Sequence, residues 1–255
     1  MDPTFPATGF VVGILVGLTG MGGAALMTPF LILVLGTTPV VAVGTDLVYG
    51  AVTKVVGAFV HWRHGTVDLQ LVRRLAVGSV PGGLLAVGAI HLLPGSDLNS
   101  DTAVRRALGV MLVVVAVTLL SRGLGVPLPA LPERWRTWMR GRGTVVAGFV
   151  IGALVGFTSV GSGSLLIAFL VATYALTPAQ IVGTDVFHAA ILVTATGVAH
   201  AQAGVVDWSI VAGLLVGSVP GVALGSWLAP RTPAPALRIG LAVLLLVTGV
   251  ALVRG

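Results

Sequence analysis

Residues 9–30, GFVVGILVGLTGMGGAALMTPF, and residues 148–169, GFVIGALVGFTSVGSGSLLIAF, are one apolar segment written twice, each broken part-way by small residues. The offset is 139 residues, and it holds without a gap from 9–82 onto 148–221, with about 31 of 74 positions identical. Gly44-Thr45-Asp46 returns as Gly183-Thr184-Asp185, and Gly65, Val67 and Asp68 return as Gly204, Val206 and Asp207. Gly78-Ser79-Val80-Pro81-Gly82 returns as Gly217-Ser218-Val219-Pro220-Gly221. Unrelated apolar segments would not keep Asp, Pro and Gly in register over such a distance. The chain reads as a duplication.

Composition says what kind of unit is duplicated. Of 255 residues, 56% are hydrophobic and only 9% charged, with a mean hydropathy of +1.07. A soluble domain carries roughly 25% charged residues, so a soluble enzyme and a disordered chain are both excluded. The net charge of +6 and pI of about 11.3 could suggest a nucleic-acid partner. However, five arginines crowd into 122–142 between two apolar blocks. Membrane orientation accounts for such a cluster, because Lys/Arg-rich loops stay cytoplasmic. With no cysteine, disulfides and thiolate metal sites are impossible. No metal or cofactor motif is present, and no enzyme motif stands out.

Eight apolar segments follow, at about 9–35, 39–61, 69–93, 102–121, 144–174, 178–202, 208–229 and 236–253. Each reaches the ~20 residues a membrane helix needs. The expected fold is therefore an all-α polytopic membrane protein of two homologous four-segment repeats. Residues 1–121 form the first repeat, 122–143 a basic cytoplasmic linker, and 144–255 the second repeat. Trp135 and Trp138 place the linker at headgroup level. As one helix, 9–35 would be ~40 Å long, against a ~30 Å hydrocarbon core. Two half-helices meeting at the glycines would instead reach mid-depth and return. The arginine distribution allows either path. The re-entrant one is favoured here because inverted repeats with discontinuous helices are a recurring transporter plan.

Asp46 and Asp185 are the most informative residues. An acid at membrane depth costs at least ~2.5 kcal/mol and normally faces a bundle interior or wet cavity. Here that cost is incurred at two equivalent positions. Tyr49 and His188 lie at i+3 on the same helical faces. Lys54 continues the first stripe, where the second half has Val193. With Lys54 two turns away, Asp46 is expected to stay ionised and Asp185 to carry a proton. The breaks form a second candidate site. A helix that restarts after glycines offers free N–H groups and a positive dipole end to an anion. Gly22, Gly23, Gly161, Ser162, Gly163 and Ser164 are the candidate contacts. The upstream glycines, Gly9/Gly13/Gly17 and Gly148/Gly152/Gly156, read as packing faces. Asp68 and Asp207 read as helix caps, and His61 and His200 as residues of the membrane–water boundary.

These motifs together resemble the TauE/SafE family of sulfite exporter-like permeases. The resemblance rests on Gly9–Gly23, Pro29, Val43-Gly44-Thr45, Gly65-Thr66-Val67-Asp68 and Gly78–Gly82. In the second half it rests on Gly148–Ser164, Gly183-Thr184, Gly204–Trp208 and Gly217–Gly225. It implies a multi-pass plasma-membrane carrier of sulfite, sulfonates or similar small anions, and it adds Thr45 and Thr184 to the substrate-site candidates. Two departures stand out. Asp46 and Asp185 occupy a position that is usually small and hydroxylic, and the second break is Gly-Ser-Gly-Ser. An acid near an anion site repels unless protonated, which suggests proton coupling. The expected partners are a small anion, protons and the lipid bilayer. A cation-coupled or cation-carrying permease using the two acids, or a non-transporting membrane scaffold, are the alternatives.

Overall fold

The computed structural model describes residues 4–19, 24–92, 101–124, 132–228 and 234–254. Gly22 and Gly23 lie outside the described residues. Every regular element among those described is helical. The first half contains α1 (Thr4–Thr19), α2 (Ala24–Leu33), α3 (Pro39–Arg63), α4 (Leu69–Leu92) and α5 (Asp101–Gly123). Next come a short α6 (Glu133–Trp138) and a π turn (Met139–Gly143), with non-helical backbone at Gly141. The second half contains α7 (Thr144–Thr158), α8 (Leu165–Thr173), α9 (Pro178–Gln202), α10 (Trp208–Leu228) and α11 (Ala234–Arg254). Six stretches among the described residues are long and apolar enough to cross a membrane: Pro39–Arg63, Leu69–His91, Asp101–Ser121, Glu133–Thr158, Pro178–Gln202 and Trp208–Gly225. The chain is an all-α multi-pass membrane protein.

Local chemistry sets the helix ends. Pro39 and Pro178 occupy the first turns of α3 and α9, where no intrahelical N–H is needed. Thr177 and Gln180 close a reciprocal capping box on α9. Asp68 Oδ1 accepts from Leu71 N–H at 3.0 Å, and Asp207 Oδ1 from Ile210 N–H at 3.1 Å, so both acids cap the helices that follow. Gly65 and Gly204 turn the chain with φ of +66° and +75°.

Packing exchanges helices between the halves. α1 runs along α10, and α4 along α7. Gly9 and Gly13 press on Leu214 and Ser218, while Gly148 and Gly152 press on Leu75 and Ser79. A methyl group at Gly152 would overlap the Ser79 carbonyl oxygen, so only glycine lets these backbones meet. The small-residue faces are therefore packing faces, each against a helix of the other half.

The order of these contacts gives the helix directions. Along α1 and α10 residue numbers rise together, as they do along α4 and α7. On α4 and α9 they rise together as well, with Ser79 at His188 and His91 at His200. Across α3 and α9 they run oppositely, because Gly57 meets Val186 and Gly197 meets Leu47. α5 and α11 are likewise antiparallel through Gly109 and Gly249. Hence α7 and α9 point the same way, and α8 between them must lead back. The return is visible at the mouth: Arg140 Nε donates to Thr173 O at 2.7 Å, and Thr144 Oγ1 lies 2.5 Å from Tyr174 Oη. The non-helical backbone at Gly141 divides the Glu133–Thr158 stretch, and the 15 residues of α7 beyond it reach only ~22 Å, which leaves its tip inside the bilayer. Residues 144–174 form a re-entrant hairpin. Arg63, Arg73, Arg74 and the helical arginines of 122–142 thus share one end of the molecule, opposite Arg105, Arg106 and Arg254.

Candidate functional site

The hairpin tip of the second half brings the buried polar residues together. After Thr158 the chain bends through Ser159, whose φ of +62° makes it the one non-glycine residue with positive φ among those described. A left-handed conformation at a residue with a Cβ costs about 1–2 kcal/mol. The strained residue turns a buried hydroxyl onto the first half: Ser159 Oγ lies 2.6 Å from Thr28 Oγ1 of α2. Thr28 in turn donates to Asp46 Oδ2 at 2.6 Å. Three residues along the tip, Ser162 Oγ accepts from Lys54 Nζ at 2.6 Å. Gly161 between them has φ of +115°, a value side-chain-bearing residues avoid.

The charges of the cluster do not close on themselves. Lys54 is half-buried on α3, the helix of Asp46, which packs against α9, the helix of Asp185. No ion pair joins them; the only one among the described residues is Arg136 with Glu133, at the surface. Asp46 and Asp185 are 1% and 5% exposed, and Oδ1 of each has no hydrogen-bond partner among the described residues. His188, fully buried, has Nε2 2.7 Å from Ser79 Oγ, and its Nδ1 has no partner among the described residues. No group of His, Asp or Glu side chains among the described residues is arranged to hold a metal ion.

Several expectations need correction. Lys54 is not the private countercharge of Asp46. It forms no ion pair with either acid among the described residues, and its hydrogen bond goes to Ser162 at the hairpin tip. No hydrogen bond joins Tyr49 to the Asp46 carboxylate among the described residues; Tyr49 is buried in an apolar cluster with Leu214 of α10. Thr45 and Thr184 are fully buried away from the cluster. Their hydroxyl oxygens accept from Asp207 N–H and Asp68 N–H, both at 3.0 Å, and tie each half to the other's turn. Ser164, a substrate-site candidate, stands at the start of α8 with its side chain free of any capping role. His200 is not a boundary residue. It is fully buried, donates from Nε2 to Gly156 O at 3.1 Å, and has Nδ1 3.1 Å from His91 Nε2. His61 stays by its turn, with Nδ1 3.0 Å from Thr66 Oγ1.

Thr28, Ser159 and Ser79 were missing from the sequence candidates. One signal for Thr28 was available: the second half has Ile167 at the equivalent position, so the repeat turns polar there on one side only.

Residues 5–252, nearly the whole chain, match the family described as sulfite exporter TauE/SafE. The chain belongs to that family. A probable membrane transporter protein of Bacillus subtilis, YjnA, is 44% identical over 248 residues, covering 96% of this chain and 97% of the relative. A second from that organism, YdhB, is 26% identical and covers 85% of this chain and 86% of the relative. A probable membrane transporter protein of Xylella fastidiosa is 27% identical, at 88% and 83% coverage. No solved structure matches. This TauE/SafE chain is a multi-pass membrane transporter, not an enzyme.

Proposed function

We propose that the chain is a secondary transporter of a small sulfur-containing anion (sulfite, a sulfonate or a similar species) in the plasma membrane, coupled to protons. The observation that carries the proposal is the pair Lys54–Ser162, held at the same hairpin tip that reaches the buried Asp46 through Ser159 and Thr28. Lys54 is the anion's countercharge, and Ser162, which accepts from Lys54 and so keeps its own proton free, is the hydroxyl able to donate to the anion's oxygens. Gly161 and Gly163 let backbone approach the substrate, and Gly22 and Gly23, outside the described residues, are candidates for the same role in the first half.

Charge balance supplies the coupling. With Lys54 protonated and both acids ionised the cluster carries one net negative charge and repels an anion. An unpaired buried charge costs several kcal/mol, so anion and proton bind best together. Thr28 donates to Asp46, and such donation favours the ionised carboxylate. Asp185 has no comparable donor among the described residues and is the proton carrier. Under the positive-inside rule the arginine-rich end, with the linker 122–143, is cytoplasmic.

Proteoliposomes loaded with a pH-sensitive dye test the proposal. Sulfite or sulfonate uptake should move protons in proportion to anion, and transport of the anion with no proton movement would sink the coupling. The unpartnered oxygens Asp46 Oδ1 and Asp185 Oδ1 favour one second reading, a cation-coupled carrier. Uptake driven by a sodium gradient alone would select it.

A further inference from the structure

Two apolar grooves run side by side on the outer face of the bundle, with volumes of about 630 and 670 Å³. They share one wall, Phe187 and Ile191 of α9. The first groove lies between that wall and Val55, Phe59 and Trp62 of α3. The second lies between the wall and α4, where Arg73, Val77 and Pro81 line it. Both are in the size range of ligand sites, ~300–1,000 Å³, and both are lined almost wholly by apolar atoms. Trp62, Phe59 and Val77 are more than half exposed.

The grooves converge on the α3–α4 turn, at the arginine-rich end. There Arg73 stands at the mouth of one groove and Trp62 at the mouth of the other. Arg63 lies over the Phe59 ring, 5.3 Å from its centroid, and Arg74 donates to Arg140 O at 3.3 Å. None of these arginines has a carboxylate partner among the described residues. The acid of that turn, Asp68, is engaged as the cap of α4. Orientation in the membrane accounts for arginines at this end but not for one lining the groove itself. The duplication sharpens the contrast, because Trp62, Arg63, Arg73 and Arg74 correspond to Ala201, Gln202, Ala212 and Gly213. The cationic, aromatic mouth exists on one face only.

We infer that this face binds one anionic diacyl phospholipid, its two acyl chains straddling the Phe187–Ile191 ridge and its phosphate on Arg73 beside Trp62. The chemistry of each part matches: paired apolar grooves for paired chains, and an interfacial tryptophan and unpaired arginines for an anionic headgroup. The ridge and groove belong to the same turns as the site, since Val55 follows Lys54 and Phe187 precedes His188. The bound lipid therefore holds α3 against α9 where the charged cluster is built.

Native mass spectrometry of the protein in neutral detergent tests this with dioleoyl phosphatidylglycerol and dioleoyl phosphatidylcholine at equal concentration. Wild type should retain one phosphatidylglycerol in preference to phosphatidylcholine. Arg73→Gln should lower that retention about fivefold, the effect of one arginine at an anionic lipid surface. Arg106→Gln, at the opposite end, should leave it unchanged. Equal retention of the two lipids, or wild-type retention by Arg73→Gln, would overturn the inference. So would a lipid-free dimer that cross-links through a cysteine placed at Ile191.

Discussion

Replacing Ser162 by alanine removes the hydroxyl that accepts from Lys54 Nζ at 2.6 Å. Hydrogen bonds to charged groups contribute about 1.5–3 kcal/mol net, and Lys54 is only half-buried, so the lower end applies, about 1.5 kcal/mol. Ser164, two residues on, makes no cap on α8, and its alanine variant should stay within about 0.5 kcal/mol of wild type. The measurement is unfolding in mixed micelles without substrate, so that the anion's own contribution does not enter. A double-mutant cycle with Lys54→Met isolates the contact: in the methionine background Ser162→Ala should cost about 0.5 kcal/mol or less. Strict additivity of the two substitutions, or equal losses for Ser162→Ala and Ser164→Ala, would refute the reasoning that Ser162 holds the lysine.

Asp185→Asn should abolish proton movement in proteoliposomes while sparing part of the anion-for-anion exchange; undiminished gradient-driven uptake would remove Asp185 as the proton carrier. Asp46→Asn should cost roughly 1 kcal/mol of stability in the same micelle unfolding assay, since the Thr28–Asp46 bond loses its charge; unchanged stability would remove that bond as a charge-assisted one. Cysteines at Thr137 and Arg254, in a chain with none of its own, should label oppositely in intact cells: Arg254→Cys by an impermeant maleimide, Thr137→Cys only after permeabilisation. Labelling of both from outside would contradict the re-entrant path. Gly152→Ala should destabilise by roughly 1–3 kcal/mol, because its methyl meets the Ser79 carbonyl oxygen and backbone has no rotamer to yield. Gly240→Ala on α11, where a Cβ has nothing within 4 Å, should be neutral or mildly stabilising in the same unfolding assay.

Much of this protein is legible without coordinates because the signals are local. Hydropathy and charge composition dictate a polytopic helical chain, and Pro39, Pro178, Asp68 and Asp207 mark helix starts by chemistry confined to one turn. The glycine and serine breaks announce an interrupted helix for the same reason. Asp46 and Asp185 stand out because an acid at membrane depth is costly wherever the helix packs. The partners of these groups are another matter. Lys54 meets Ser162 across 108 residues, and Thr28 meets Ser159 across 131. Whether Thr45 serves a substrate or the Asp207 turn depends on which helix of the other half lies beside it. In water an amphipathic stripe would reveal the packing face. In lipid the tails are as apolar as leucine, so lipid-facing and helix-facing sides carry the same residues. Helix existence, breaks and costly charges therefore belong to the sequence. The exchange of α1 and α7 between halves, the antiparallel crossing of α3 and α9, and the meeting of Lys54 with Ser162 were decided by tertiary packing alone.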